Sequence, residues 1–214
     1  MHFEVLVEDQ SGAIIVEHVL QKVGKNFKKD FSYQIHPYKG AGALPKGLTP
    51  STDARKRILL DRLPEILRGY GRSLGDEAAV IVVVDNDNRD CKQFKNELLL
   101  CLKRCDPAPK TVFCLAIEEL EAWLLGDLEA VTAAYPRARR HILQKYEPDA
   151  LCGTWELLAD AVCPERASGL KRKGYAAVGA RKREWAEAIA PLIDLDRHQS
   201  PSLRYFVRKV LEFC

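Results

Sequence analysis

The chain has 214 residues, enough for one large domain or for a domain with a smaller appendage. Hydrophobic residues make up 47% and charged residues 29%, which excludes a disordered or fibrous protein, and the net charge of +3 confines any basic surface to a local patch. No apolar run approaches the roughly 20 residues that cross a bilayer and no signal pattern opens the chain, so we expect a cytoplasmic protein without a membrane partner.

The first part of the chain alternates short apolar runs with amphipathic segments. Four predicted strands cover residues 3–7, 31–36, 80–84 and 111–117, and three predicted helices cover residues 11–24, 51–67 and 91–105. A basic loop rich in Gly and Pro, residues 38–50, follows the second strand. The third strand is a run of β-branched residues with no polar alternation, so both of its faces should be buried. This pattern predicts an α/β fold with a mainly parallel four-stranded sheet between helices.

The last third of the chain has a different pattern. After Gly126 we find helical segments and loops but no strand pattern, with helices predicted around residues 130–140, 154–162, 182–193 and 202–213. We therefore expect an α/β domain over residues 1–128 and a helical C-terminal extension, residues 129–214, packed on it.

The cysteines indicate the redox environment. There are seven, at positions 91, 101, 105, 114, 152, 163 and 214, an odd number with no Cys-x-x-Cys pair. This usage favours free thiols in a reducing cytosol over a disulfide framework. Cys101 and Cys105 can share a helix face, but no histidine lies near them in the sequence, so a structural zinc site is not expected.

Acidic residues follow three of the four predicted strands. Glu8 follows the first strand, Asp85 and Asp87 follow the third, and Glu118 follows the fourth, with Glu121 on the same helix flank as Glu118. Ligand sites in open parallel sheets lie outside the carboxyl ends of the strands, so these side chains are expected to cluster. Clustered carboxylates repel each other unless a cation neutralises them, and hard oxygen ligands suit Mg²⁺ or Mn²⁺. The pattern therefore predicts phosphoryl chemistry at a metal site. Glu119 is expected to face solvent.

This arrangement resembles the Toprim domain, the catalytic module of topoisomerases, bacterial primases and the nucleases of the overcoming-lysogenization-defect family. The resemblance covers roughly residues 1–125 and rests on Val-Glu-Asp-Gln-Ser-Gly after the first strand and Asp-Asn-Asp after the third. Together with Tyr-Lys-Gly-Ala-Gly, Ile-Glu-Glu-Leu-Glu-Ala-Trp and a late Ser-Pro-Ser, these segments look like a poorly characterised bacterial group of Toprim-like proteins. The fold implied is Rossmann-like.

The resemblance implies roles for the acidic residues. Glu8 would be the general acid/base or metal-adjacent glutamate, and Asp85 and Asp87 would bind the metal. Either Glu118 or Glu121 would supply a further acid, as in two-metal nucleases. The chain departs from the Toprim pattern at Asp9, which stands where the family has a glycine and adds a charge to the loop.

The acidic residues are open to three other interpretations. An Asp-x-Asp after an apolar strand is often a solvated loop that caps the next helix. A P-loop ATPase would need Gly-x-x-x-x-Gly-Lys-Ser/Thr after the first strand, and a haloacid-dehalogenase-like phosphatase would carry its Asp-x-Asp on the opening strand. The chain has neither arrangement.

Basic residues provide candidate contacts to a phosphate backbone. Four of them are expected near the acidic site and four more lie in a basic C-terminal segment with Tyr175, whose ring could stack on a base. The first four are Lys39, Lys46, Arg89 and Lys92. The C-terminal four are Lys171, Arg172, Lys173 and Arg181, in a segment that also contains Arg166, Lys182 and Arg183. The alternative for the C-terminal segment is a solvated loop, since charge runs are usually exposed.

The sequence therefore predicts a Mg²⁺- or Mn²⁺-dependent phosphodiester-cleaving enzyme, a nuclease acting on DNA or RNA. One alternative is a non-catalytic module that binds nucleic acid or a nucleotide through a metal. Another is a toxin or phage-defence subunit that a partner protein activates. A protein partner or a homodimer is compatible with all three.

Overall fold

The computed structural model describes residues 1–150 and 153–214. Cys152, one of the seven cysteines, lies outside the described residues. Four strands form one sheet: β1 (His2–Val7), β2 (Ser32–Pro37), β3 (Ala78–Asp85) and β4 (Thr111–Ala116). Their order is β2-β1-β3-β4 and every neighbouring pair is parallel. The predicted α/β fold with a parallel four-stranded sheet is therefore confirmed.

Ten α-helices are described around this sheet. They are α1 (Gln10–Phe27), α2 (Leu59–Ser73), α3 (Cys91–Lys103), α4 (Glu121–Leu125), α5 (Leu128–Ala134), α6 (Arg140–Leu143), α7 (Thr154–Val162), α8 (Arg166–Lys173), α9 (Tyr175–Ile189) and α10 (Pro201–Phe213). Short 3-10 helices cover Ala54–Lys56 and Ala190–Leu192. None of the described helices is long and apolar enough to cross a membrane.

Two helix predictions need correction. The helix predicted from residue 51 begins only at Leu59, because the backbone N–H and hydroxyl groups of Ser51 and Thr52 bind the buried carboxylate of Asp61 instead of starting a helix. The basic C-terminal segment, for which a solvated loop was the alternative, is exposed at Lys171, Arg172 and Lys173 but helical, since it forms α8 and the start of α9. Buried Ala167 and Leu170 give α8 an apolar face.

The sheet is covered on both faces. Alternate residues of each strand point to opposite faces, so Val5 and Ile81 pack with α1 and the C-terminal helices, whereas Leu6 and Val82 pack against α2 and α3. The helices after residue 128 contribute to the same apolar core as the first face of the sheet. The predicted domain boundary between residues 128 and 129 therefore falls within one continuous apolar core.

The strand order determines where a ligand site is expected. The chain leaves β1 towards β2 on one side and then crosses to β3 on the other side, so the order reverses between β1 and β3. Open parallel sheets bind ligands in the crevice outside the carboxyl ends of strands at such a reversal. Glu8 directly follows β1, and Asp85 is the last residue of β3.

Candidate active site at the carboxyl ends of the central strands

The loop after β1 holds Glu8 next to the start of α1. Asp9 is the N-cap of α1 and accepts a hydrogen bond from the backbone N–H of Gly12 at 2.7 Å. A Cβ at Gly12 would lie 2.4 Å from Leu120 Cδ1, so only glycine lets α1 approach the segment after β4 this closely. Asp9 therefore has a local structural role as a helix cap.

Glu8 and Asp85 are in direct contact. Glu8 Oε2 accepts a hydrogen bond from the backbone N–H of Asp85 at 3.3 Å, and Asp85 Oδ1 accepts one from the backbone N–H of Leu120 at 3.0 Å. Both residues are partly buried. The structure thus brings together two of the predicted site residues, one from each side of the strand reversal.

Burial and neighbouring negative charges affect the ionisation of this pair. Burial raises the pKa of Glu8; hydrogen bonds from backbone N–H groups oppose the rise, and the charges of Asp87 and Asp9 add to it. Burial and the charge of Glu8 raise the pKa of Asp85 well above its usual range, although Lys182 acts in the opposite direction. Ionisation of both carboxyl groups at once is therefore disfavoured unless a further positive charge compensates them.

Asp87 lies at the edge of this pair. Its φ of +49° is in the left-handed region, and its side chain is half-exposed, 3.6 Å from the guanidinium of Arg89. The backbone N–H of Asp87 donates to the carbonyl of Glu118 at 2.9 Å, which ties the loop after β3 to the loop after β4. Between the two aspartates, the buried Asn86 has a side-chain oxygen without a hydrogen-bond partner among the described residues.

Glu118 is directed away from Glu8 and Asp85. Its carboxylate accepts hydrogen bonds from the backbone N–H groups of Gly153 and Thr154, the latter at 2.9 Å. These two residues open α7, so the negative charge of Glu118 lies at the positive end of that helix. The backbone of Glu118 is in the left-handed region, with a φ of +64°. Glu118 thus binds the C-terminal part of the chain to the sheet.

Glu121 and Glu119 bind a lysine that the sequence analysis did not place in the site. Lys182 of α9 lies with its Nζ 3.0 Å from Glu121 Oε2 and 3.3 Å from Glu119 Oε2. The second contact is an ion pair without hydrogen-bond geometry, since Glu119 Oε2 has no hydrogen-bond partner within the described part of the chain. The Glu119 side chain is only 20% exposed, so the expectation that it faces solvent was wrong.

The charges of Lys182, Glu119, Glu121 and Asp85 influence one another. Burial would lower the pKa of Lys182, but the negative charges of Glu121, Glu119 and Asp85 outweigh it and raise that pKa. Burial, with the charge of Glu121, raises the pKa of Glu119 to about 7 although Lys182 opposes the rise. The sequence does contain a signal for Lys182, because it precedes the buried Trp185, Ala186 and Ile189 at the i+3, i+4 and i+7 spacing of one helix face.

The predicted basic residues occupy different surroundings. Arg89 lies over the ring of Phe94 and near Asp87. Lys39 is exposed and close to the acidic site, because the N–H of the next residue, Gly40, donates to the carbonyl of Glu8 at 3.0 Å. Lys46, Lys92, Lys171, Arg172 and Lys173 are exposed, and Arg181 pairs with Glu165 and Glu184. Lys171 also pairs with Glu156 and Lys173 with Glu165, so three of the four C-terminal basic residues are in ion pairs.

The structure therefore brings together only part of the predicted metal site. Within residues 1–150 and 153–214, no three His, Cys, Asp or Glu residues are arranged so that they could hold a metal ion. Glu8 and Asp85 are adjacent and Asp87 lies beside them, whereas Glu118 and Glu121 have partners in the C-terminal part of the chain.

Comparison with known proteins gives one family. No curated protein and no solved structure matches the chain. The family model described as a domain of unknown function, DUF4276, matches residues 7–211, which include every acidic residue discussed above. Since this match covers almost the entire chain, the protein belongs to the DUF4276 family.

Proposed function

We propose that this protein is a Mg²⁺- or Mn²⁺-dependent enzyme that cleaves phosphodiester bonds in nucleic acid. The observation that carries the proposal is the contact between Glu8 and Asp85 at the reversal of strand order, where parallel sheets bind their ligands. Both side chains are partly buried and both have raised pKa values, which is the environment of functional carboxylates more often than of structural ones.

The donor atoms fit a hard divalent cation. Glu8, Asp85 and Asp87 offer carboxylate oxygens, and their mutual repulsion is the condition that a bound cation relieves. Mg²⁺ is usually held by one or two carboxylates together with water and substrate phosphate, so a cage of three protein ligands is not required. Lys182 is already paired with Glu119 and Glu121, so its charge is shared among several carboxylates.

Each residue has a distinct part in the proposed chemistry. A bound cation would polarise a phosphate oxygen and lower the pKa of an attacking water. Glu8, whose pKa is raised, is more often protonated near neutral pH than an ordinary glutamate, so it can exchange a proton with the water or the leaving oxygen. Asp85 would hold the cation, and Asp87 would complete the oxygen donors from its half-exposed position.

A second candidate is a module that binds nucleic acid or a nucleotide without cleaving it. The observation that favours it is the position of Glu118 and Glu121, whose partners lie in the C-terminal helices and leave fewer carboxylates for a second cation. Catalytic two-metal sites hold both the attacking and the leaving oxygen, and one cation is enough to bridge a phosphate. A toxin or defence subunit that a partner protein activates is a separate alternative, since it would cleave once that partner is bound.

We also propose that the protein works in a reducing compartment such as the cytoplasm. All six described cysteines are free thiols, and four of them are buried. Burial raises the pKa of the Cys114 thiol to about 12, so it has almost no reactive thiolate at neutral pH.

Cleavage assays test the enzyme proposal. Labelled single-stranded and duplex DNA and RNA are incubated with the protein and Mg²⁺ or Mn²⁺, and in parallel with EDTA. We expect cation-dependent cleavage that falls about 10²- to 10⁴-fold in Glu8→Gln and in Asp85→Asn. Glu17→Gln, an exposed change on α1, is the matched control and should cleave like the wild-type protein. Cleavage that persists in both site variants, or in EDTA, would contradict the proposal, and binding without cleavage would favour the second candidate.

A further inference from the structure

A cleft opens beside the acidic residues, on the C-terminal side of the sheet. It has a volume of about 560 Å³, within the range of small-molecule sites, and lies between α7, α8 and α9. Its lining consists of Glu119, Trp155, Lys171, Gly174, Tyr175, Val178, Gly179 and Lys182. Two of these, Glu119 and Lys182, are the ion pair that adjoins Asp85, so the cleft and the acidic site share a wall.

The cleft offers aromatic rings to a ligand. Tyr175 is 98% exposed, an unusual position for a large aromatic side chain, and Trp155 is only partly buried. Aromatic side chains are found in exposed positions where a flat ligand or a partner stacks on them. Val178 adds an apolar side chain to the lining. Such a surface suits a planar ring that is apolar on its faces.

Two glycines keep this space open. A Cβ built at Gly174 or at Gly179 would meet no atom within 4 Å, so both positions border empty space. Gly179 lies inside α9, where glycine costs stability relative to alanine. A larger residue at Gly179 would extend into the cleft without disturbing the packing of the helix.

A lysine lies at each end of the cleft, and each is paired with at least one glutamate. Lys171, whose side chain is 58% exposed, lies at the rim with its Nζ 5.4 Å from the centre of the Trp155 ring. Lys182 lies at the inner end beside Glu119 and Glu121. The exposed Lys171 is therefore the cation that a phosphate beside a stacked base can reach, whereas the charge of Lys182 is compensated by Glu119 and Glu121.

We infer that this cleft binds one unpaired nucleobase of a single-stranded nucleic acid and so presents the adjacent phosphodiester to Glu8 and Asp85. The inference rests on the proposed function, because it names the substrate class of the same site. Bases in a duplex are paired and stacked on each other, so they cannot reach an aromatic ring inside a cleft. Single-stranded DNA and RNA are therefore the expected ligands, and a free mononucleotide should bind less tightly because it lacks the neighbouring phosphates.

Binding measurements test the inference directly. Fluorescence anisotropy follows a short fluorescein-labelled oligonucleotide in EDTA, so that metal-dependent cleavage does not consume the probe. We expect the wild-type protein to bind the single strand at least about tenfold more tightly than its duplex. Tyr175→Ala should weaken binding about 5- to 150-fold, which corresponds to the ~1–3 kcal/mol of one base stacked on an aromatic ring. Gly179→Leu should weaken it similarly by filling the cleft.

Matched changes elsewhere in the chain provide the controls. Phe27→Ala removes another exposed aromatic ring, at the far end of α1, and Gly69→Leu fills open space beside a helical glycine in α2. Both should bind like the wild-type protein. The melting temperatures of Tyr175→Ala and Gly179→Leu should stay within a few degrees of the wild-type value, because neither residue packs against the core.

The possible outcomes separate this inference from the proposed function. Four results would each contradict the inference that the cleft binds a base. They are no binding of the single strand, equal or tighter binding of the duplex, tighter binding of a mononucleotide, and unchanged binding in Tyr175→Ala and Gly179→Leu. If these two variants cleave and bind like wild type while Glu8→Gln does not cleave, the enzyme proposal survives alone. If cleft-dependent binding is found without any cleavage, the cleft survives and the enzyme proposal fails.

Discussion

Lys182 supplies positive charge to the carboxylates at the carboxyl ends of the strands. Its side chain is 14% exposed and contacts Glu121, which is 2% exposed, so both charges of this pair are removed from water. A buried pair adds little net stability, but removal of one partner leaves the other uncompensated. The acidic site therefore depends on a residue that lies about 100 positions further along the chain than Asp85.

We predict that Lys182→Met lowers the free energy of unfolding by about 3–5 kcal/mol, because it leaves Glu121 buried without a cation. Urea unfolding followed by circular dichroism measures the change. Lys209→Met removes a lysine from a surface pair with Glu212 and should cost less than about 1 kcal/mol. Adding Glu121→Gln to Lys182→Met should recover part of the loss. A loss in Lys182→Met no larger than that in Lys209→Met would contradict this account.

Glu119 gives a prediction for the dependence of stability on pH. Its pKa is about 7 in the folded protein and 4.5 in its unperturbed form, so between these values the folded state holds a proton that the unfolded state releases. The contribution of Glu119 to stability is therefore complete below pH 4.5 and is lost as the pH rises through 7. Glu119→Gln should remove this decline, with a difference in slope from wild type of at most about 1.4 kcal/mol per pH unit.

Urea unfolding at several pH values between 4.5 and 8 measures the two slopes. Glu17→Gln, an exposed change on α1, is the control and should keep the slope of the wild-type protein. If Glu119→Gln and wild type follow parallel curves over this range, Glu119 does not have the raised pKa that its burial implies.

Part of the site could be predicted from single residues and part could not. The run of β-branched residues before Asp85 requires a buried strand, so the position of Asp85 at a strand end follows from the local sequence. The partners of Glu118 and Glu121 are set by the packing of α7 and α9 against the sheet. Those contacts are between residues far apart in the chain, and no local pattern determines them.

At the scale of elements, α7 is attached to the sheet through its N-terminus. Glu118 binds the first N–H groups of this helix, and the N-cap residue Gly153 has no side chain that could do so. The carboxylate thus acts as a cap supplied from another part of the chain. The Asp61 carboxylate has a comparable role, since it binds Ser51 and Thr52 and orders the loop before α2.

We predict that Glu118→Gln lowers the free energy of unfolding by about 1–2 kcal/mol, because the charge at the helix N-terminus and one acceptor are lost. Hydrogen exchange should become faster at the first N–H groups of α7. Glu156→Gln, which changes an acidic residue in the first turn of the same helix, should cost only about 0.5 kcal/mol. Equal losses in the two variants would show that Glu118 does not anchor the helix.

At the scale of the whole molecule, the C-terminal helices complete both the core and the site. They form the apolar layer on one face of the sheet together with α1, and they contribute Lys182 and the cleft beside it. The α/β class and the parallel sheet could be predicted, because a chain that alternates apolar strands with amphipathic helices can bury its apolar surfaces in few other folds. The role of the last third could not be predicted. Its sequence pattern indicates helices and no strand, and such a pattern does not determine where a helix packs on the sheet.

We propose that Glu8 and Asp85, with Asp87 beside them, bind a divalent cation at the reversal of strand order, with water and substrate phosphate as the remaining ligands. Isothermal titration calorimetry with Mn²⁺ tests it most directly, on the wild-type protein, on Asp85→Asn combined with Asp87→Asn, and on Glu17→Gln as the control. We predict a binding isotherm for the wild-type protein and the control, and a dissociation constant at least about tenfold higher in the double variant. Absence of Mn²⁺ binding to the wild-type protein, or equal affinity in the double variant, would contradict the account.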